Sequence, residues 1–305
     1  MQTNTTGRKI RKLFAGDIFF HFCCTGFLLL SGIIVFYPLY YTVICSFSDT
    51  SAILRGNVVF WPVNTTLNAY RLVFNYGLLR SSFFNSLLYV AGGTTVAVVL
   101  LLTAAYPLSR KDFIDRKFFQ VLYLVTMFFN GGIIPNYILM SRLGLIGSRW
   151  ALIIAFMFSC YNMIIVKSYF QSSIPQGLLD AAHIDGCGDV RFFFSIAMPL
   201  AIPVIAVMVL FNAVSIWNGY FNGMLFLTRP NTFTFQMALR NVLWVANMPP
   251  DQLGTIDPRL LEQMINMMLQ IRYAVLVVGA IPMMVLYPFI QKYFIRGIML
   301  GSLKE

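Results

Sequence analysis

Six apolar runs dominate this chain, at about residues 18–47, 83–108, 118–140, 149–171, 196–227 and 273–295, and no Asp or Glu falls inside any of them. A helix rises 1.5 Å per residue, so about 20 apolar residues cross the ~30 Å hydrocarbon layer of a bilayer. A charge near the middle of such a segment costs about 2.5–3.5 kcal/mol on insertion scales, so acid-free runs of this length are what a bilayer selects. Water would select otherwise. Only 11% of the residues are charged and mean hydropathy is +0.74, whereas a soluble domain usually carries about 25% charged residues to meet solvent. The pattern predicts an all-α membrane protein with six transmembrane helices. The first and fifth runs are longer than a crossing needs, which fits tilting or an interfacial turn.

Orientation follows from the basic residues. Net charge is +11, from 22 Lys+Arg against 11 Asp+Glu. Arg8, Lys9, Arg11 and Lys12 crowd the N-terminal segment 1–17, and Arg110, Lys111, Arg116 and Lys117 crowd the loop after the second run. Short Lys/Arg-rich loops stay on the cytoplasmic side. Both termini, the segment 172–195 and the tail 296–305 are therefore expected in the cytoplasm, and the long segments 48–82 and 228–272 outside. The first run is about twice as long as the roughly 7–15-residue apolar core of a signal peptide, and reads as a retained span. No basic stripe with interleaved aromatics lies outside the runs, which argues against nucleic acid as a partner.

Several chemistries are excluded. Cys23, Cys24, Cys45, Cys160 and Cys187 form no C-x-x-C pair, and four lie in apolar runs where Cys behaves as a small hydrophobe. The two histidines, His21 and His183, are too few and too far apart for a metal site. No G-x-x-x-x-G-K-[ST] occurs, so no P-loop binds ATP here. No catalytic constellation stands out, and the chain alone should be inert. Carriers driven by ion gradients usually keep ionisable residues at mid-membrane; none is found here, which points to an energy source outside the lipid-embedded helices.

The loop between the fourth and fifth runs, Ser172-Ser-Ile-Pro-Gln-Gly-Leu-Leu-Asp-Ala-Ala-His-Ile-Asp-Gly-Cys-Gly-Asp-Val-Arg-Phe-Phe-Phe-Ser-Ile-Ala-Met-Pro199, is the most informative. Pro175 suits the first turn of a short helix, and Gly186 and Gly188 suit its end. Leu178, Leu179, Ala182 and Ile184 would form its apolar side, and Asp180, near its start, would complement the helix dipole. Pro199 and Pro203 would open or kink the next span. Such a helix either inserts into a partner's groove or rests on lipid headgroups.

Asp180-Ala-Ala-His-Ile-Asp-Gly-Cys187, with Ile196 and Pro199 downstream, resembles the Glu-Ala-Ala loop of ABC importer permeases, E-A-A-x-x-D-G followed by a spaced I-x-x-P. Ala181, Ala182, Asp185, Gly186, Ile196 and Pro199 match. Asp180 replaces the usual glutamate, keeping the charge on a side chain one methylene shorter, and Cys187 replaces the usual alanine. The likeness extends through Phe60-Trp61-Pro62, Thr66 to Tyr70, Asn85-Ser86-Leu87, Ala105 to Arg110, Gly131 to Pro135, Leu143-Gly144-Leu145, Trp150-Ala151-Leu152 and the tail from Lys292 to Ser302. It is similar to the maltose-type carbohydrate permeases, and especially to a subgroup for oligosaccharides from complex or acidic polysaccharides. Ala155 stands where that subgroup often has proline.

The resemblance implies a type I ABC importer permease in a bacterial cytoplasmic (inner) membrane. It implies pairing with a homologous second permease, two ATPase subunits and an external solute-binding protein that delivers sugar. The loop 172–195, through Asp180, Ala181, Ala182, Asp185, Gly186 and Pro199, would couple to the ATPase, and ATP and Mg would be bound by that partner with no cofactor in this chain. The tail 297–305 would reach the same interface. Alternatives are an ABC permease for peptide or amino acid, and a gradient-driven carrier.

Two features inside the runs have competing readings. Gly131, Gly132 and Pro135 interrupt the third, either as a pivot or pathway wall or, the preferred reading, to let a neighbouring helix pack closely. Asn212, Trp217, Asn218 and Tyr220, with Ser215 and Asn222 beside them, could contact sugar along the pathway. The preferred readings are that the amides join helices and that the aromatics are interfacial anchors.

Overall fold

A computed structural model describes residues 15–246 and 258–301, and all their regular structure is helical. The basic cluster Arg8–Lys12 and the last four residues, expected in the cytoplasm, lie outside the described residues. Residues 1–67 and 68–305 form two separate packing units.

The first unit holds α1 (Ala15–Ser46) and α2 (Thr50–Leu54). Phe20–Ser46 of α1 is apolar enough to cross a membrane. The Asp49 carboxylate caps α2 by accepting from the Ser51 N–H. The Tyr37 and Tyr40 hydroxyls donate to the Val59 and Phe60 carbonyls at 3.3 and 2.6 Å, holding the segment around residues 59–60 along α1.

The second unit begins with α3 (Asn68–Asn75), α4 (Gly77–Ser109), α5 (Arg116–Phe128) and α6 (Ile133–Arg142). It continues with α7 (Arg149–Ala155), α8 (Cys160–Ser173), α9 (Gln176–Ile184) and α10 (Asp189–Phe192). A π-turn, Phe193–Ala197, leads into α11 (Met198–Leu200) and α12 (Ile202–Trp217), and then come α13 (Tyr220–Phe226), α14 (Phe235–Ala246) and α15 (Pro258–Gly301). Besides α1, two helices are long and apolar enough to cross alone, α4 and the Met267–Phe289 part of α15. Three bent pairs supply further spans, giving six when each pair counts once.

The bends are where the apolar runs and the helices part company. Within 118–140, α5 and α6 diverge by 112°. The 13 residues of α5 rise only about 20 Å, so the run does not cross as one rod. Gly132 adopts φ 84°, ψ −176°, and its N–H donates to the Asn130 side-chain oxygen at 2.9 Å. A Cβ at Gly132 would meet nothing within 4 Å, and one at Gly131 would meet only Pro135 of the same segment, at 3.6 Å. The expectation of close helix packing on these glycines is therefore corrected: they turn the chain, and no neighbouring helix of the described residues occupies the space beside them.

The 196–227 run is likewise several pieces. Helix begins at Asp189, bends by 75° between Leu200 and Ile202, and breaks again before α13. Pro199 and Pro203 flank the first bend, and each lacks the N–H that an uninterrupted helix would need there. At the other end of the unit, α15 starts at Pro258, so residues 258–272, expected to belong to an external loop, are helical.

Helix α4 organises the unit, packing against α7, α8, α12 and α14. Toward its C-terminus, Val98, Leu101, Leu102, Ala105 and Leu108 share one core with Met163 and Phe170 of α8 and Leu179 and Ala182 of α9. Toward its N-terminus, Leu79 shares another with Trp217, Phe235, Ile271 and Val275. These cores reach to points about 40 Å apart along the helix, at 1.5 Å per residue.

Candidate functional site

Helix α9 is set by its ends. Pro175 occupies the N-cap position in extended conformation, one residue earlier than the first-turn position expected from sequence. At the other end Gly186 has φ 75°. Its N–H donates to the His183 carbonyl at 3.0 Å, and the Cys187 N–H reaches back to the Ala182 carbonyl at 2.8 Å. This is a Schellman closure, whose left-handed residue favours glycine.

The helix divides its apolar residues between two faces. Leu179 and Ala182, three apart, are buried against the α4–α8 core. Leu178 and Ile184 point elsewhere, and Ile184 is 86% exposed. The single apolar side expected from sequence is thus two, because residues 178 and 179 sit about 100° apart on a 3.6-residue turn. Ala181, Asp180 and Asp185 are exposed as well. Asp180 lies mid-helix rather than in the first turn, so the expected dipole role is corrected; its carboxylate accepts from the Gln176 amide at 3.3 Å. The outer surface of α9 is therefore a small apolar patch flanked by two carboxylates.

Polar contacts and aromatic packing at the C-terminal end of α9 tie it to α4. His183 and Asp189 lie 3.2 Å apart, joining the end of α9 to the start of α10. Arg110, just past α4, donates to Asp112 through Nε and Nη2, both at 3.1 Å, and its guanidinium lies 5.8 Å from the ring centres of Tyr106 and buried Phe192. That hydrogen bonding holds the Asp112 carboxyl below its ordinary value. Burial acts to lower the Arg110 pKa, but the Asp112 hydrogen bonds together with Tyr106 and Asp189 outweigh it and raise it. Pro199 is exposed and lies at the later bend, before α12.

The four pathway candidates do not form one wall. The Asn212 amide is buried and donates to the Met208 carbonyl of its own helix at 2.8 Å. Trp217 is 2% exposed, with Phe83 and Phe235 against it and its Nε1 donating to the Gly279 carbonyl at 3.0 Å. It has no free face for a sugar ring and is no interfacial anchor. Asn218 is exposed at the end of α12, and the half-buried Tyr220 ring lies under Arg240 at 4.6 Å. Trp217 and Asn212 are buried packing residues here: the indole N–H is taken up by Gly279 and the Asn212 amide donates within its own helix.

A polar face of α4 holds the segment that leads into α14. The Asn85 amide donates to the Asn231 and Phe233 carbonyls at 2.7 and 3.3 Å and accepts from Arg149 at 3.3 Å. Ser86 Oγ accepts from the Phe235 N–H, and the Tyr89 hydroxyl donates to the Thr232 carbonyl. Polar side chains on one face of an apolar helix were the available signal, since such groups need partners in a bilayer.

Residues 94–300 match the family model described as binding-protein-dependent transport system inner membrane component. The chain belongs to this family. The polygalacturonan/rhamnogalacturonan transport system permease protein YtcP of Bacillus subtilis (strain 168) is 38% identical over 282 residues, covering 92% of this chain and 96% of that one. Protein LplC of the same organism is 33% identical, covering 95% and 96%. A crystal structure of a bacterial ABC transporter involved in the import of the acidic polysaccharide alginate matches with TM-score 0.83 and 30% identity, over 92% of this permease and 98% of that chain. This permease is an inner membrane component of an ABC importer, not an enzyme; ATP hydrolysis belongs to a separate subunit.

Proposed function

We propose that this permease carries an oligosaccharide across a bacterial cytoplasmic membrane and takes its driving force from an ATPase docked on α9. The observation that carries the docking is the outer surface of α9: Leu178, Ala181 and Ile184 exposed between Asp180 and Asp185, on a helix whose other face is locked into the α4–α8 core. A rigid short helix with an uncovered apolar patch suits insertion into a partner's groove. Because Leu179 and Ala182 share a core with Leu101 and Ala105, a push on α9 acts directly on α4.

The sugar cargo is supported by the relatives, which include arabinooligosaccharide permeases alongside the polygalacturonan/rhamnogalacturonan one. In this reading a solute-binding protein delivers the oligosaccharide from outside, a homologous second permease completes the pathway, and two ATPase subunits hold ATP and Mg. Both termini and the segment 172–195 face the cytoplasm.

The test pairs two measurements on cells carrying wild type or Asp185→Lys. The reading expects normal membrane insertion of the variant, loss of ATPase co-purification and loss of labelled oligosaccharide uptake. Undiminished uptake with the ATPase still bound would refute the docking surface; uptake of peptide but no oligosaccharide would refute the cargo.

A further inference from the structure

Beside α9, where α4 ends and α5 begins, lies a cavity of about 180 Å³. Arg110, Lys111 and Arg116 line it, with the Ser109 hydroxyl and the Gln171 and Gln176 amides. No carboxylate is in its wall. Two carboxylates outside the wall touch lining residues: Asp112, engaged by Arg110, and Asp180, which accepts from the Gln176 amide. Arg110–Asp112 and His183–Asp189 are the ion pairs among the described residues, so Lys111 and Arg116 face the cavity without a carboxylate of these residues.

Cations converging on a concave wall focus a field that draws in an anion. Two unmatched cations suit a group that carries up to two negative charges, and a guanidinium fork beside an ammonium suits phosphate oxygens. The Gln171 and Gln176 amides each engage one N–H within the chain, with the Ser109 carbonyl and the Asp180 carboxylate, and each has a second N–H for such oxygens. The cavity lies at the end of a 33-residue apolar helix, which is the level of lipid headgroups. We infer that this cavity binds a phosphate group, from an anionic phospholipid headgroup or a soluble phosphate ester, held by Lys111 and Arg116. Because Ser109 ends α4 and Gln176 opens α9, the bound phosphate braces the 110–115 loop against α9.

The test is lysine footprinting of the complete transporter in a phosphate-free maltoside detergent, with an amine-reactive reagent read by mass spectrometry. One arm adds inorganic phosphate and another adds phosphatidylglycerol. Lys117, exposed nearby but outside the cavity wall, is the internal reference. Labelling of Lys111 should slow about tenfold relative to Lys117 in at least one arm, and Arg116→Gln should weaken that protection about tenfold, as loss of one charged contact implies. Protection by phosphate identifies a soluble ligand, and protection by phosphatidylglycerol alone identifies a lipid. Equal slowing of both lysines, or no slowing in either arm, overturns the site. So does Lys111 protected in every arm including plain detergent, since a partner's acidic side chain would then fill the cavity. Uptake and ATPase docking do not enter the readout, so the outcome is separate from the proposed function.

Discussion

The indole nitrogen of Trp217 donates to the backbone carbonyl of Gly279 at 3.0 Å, fastening α12 to α15. Phe235 stacks on the indole with ring centres 6.0 Å apart, and a Cβ built on Gly279 would lie 2.8 Å from its Cε1. Neither ring can retreat, since both are buried.

Gly279→Ala should therefore overpack this junction, at a cost of about 1–3 kcal/mol. Trp217→Phe keeps a ring but loses the hydrogen bond, at a cost of about 1 kcal/mol. Thermal unfolding of the purified permease in detergent should rank the two variants below wild type. A Gly279→Ala protein as stable as wild type would mean that Phe235 and α15 are not in close contact at this junction.

Asn85→Leu should be costly for a different reason. It keeps an apolar helix apolar but strips partners from the Asn231 and Phe233 carbonyls and from Arg149. Groups left unsatisfied cost about 1–3 kcal/mol each in stability terms. Limited proteolysis should cut near 228–235 faster in the variant, because that segment loses the ties that hold it to α4.

The loop carrying α9 could be read from sequence because its signals are local: a proline to start it, a glycine that accepts φ 75° without strain, and a spaced motif. The apolar runs were legible for the same reason, since hydropathy is a property of each residue. What could not be read depends on neighbours. Leu178 and Leu179 are identical in sequence terms, and only the α4–α8 core decides which is buried. Trp217 looks like a sugar platform until Phe83, Phe235 and Gly279 occupy its faces. The break after α5 shows in sequence as Asn130-Gly131-Gly132, but its 112° angle does not, because the direction the chain takes after a break depends on what it packs against.

The Arg110–Asp112 pair makes stability depend on acid. The ordinary carboxyl value of 3.8 is lowered here, first by the Arg110 hydrogen bonds. A depressed carboxyl stabilises the fold fully above its unfolded value and loses that contribution as pH falls through the folded one. Asp112 is about half exposed, so the effect is at most about 1 kcal/mol. Melting of wild type should exceed that of Asp112→Asn at neutral pH, and the difference should close in acid below 3.8. A gap that persists there would assign the effect to packing instead of charge.

Cys187 offers a native probe of sidedness. It is half-buried at the end of α9, two residues beyond Asp185. In a variant keeping Cys187 as its sole thiol, a membrane-impermeant maleimide should label inverted vesicles and spare intact cells. Bound ATPase should slow that labelling. Reaction in intact cells would put α9 on the outer surface and remove the basis for docking.

Gly186 separates the shape of α9 from its charge. A β-branched residue at φ 75° is strained, by roughly 1–2 kcal/mol, whereas Asn tolerates the left-handed region. No atom outside its own segment lies within 4 Å of a Cβ at this position, so neither substitution clashes within the chain. Gly186→Val should unwind the closure that joins Cys187 to Ala182 and displace the 186–188 turn, weakening ATPase co-purification about tenfold for each 1.4 kcal/mol spent on restoring it. Gly186→Asn should retain more of the complex than Gly186→Val. If both lose the ATPase equally, the partner needs the bare backbone at this residue, and close approach rather than helix termination is what the glycine provides.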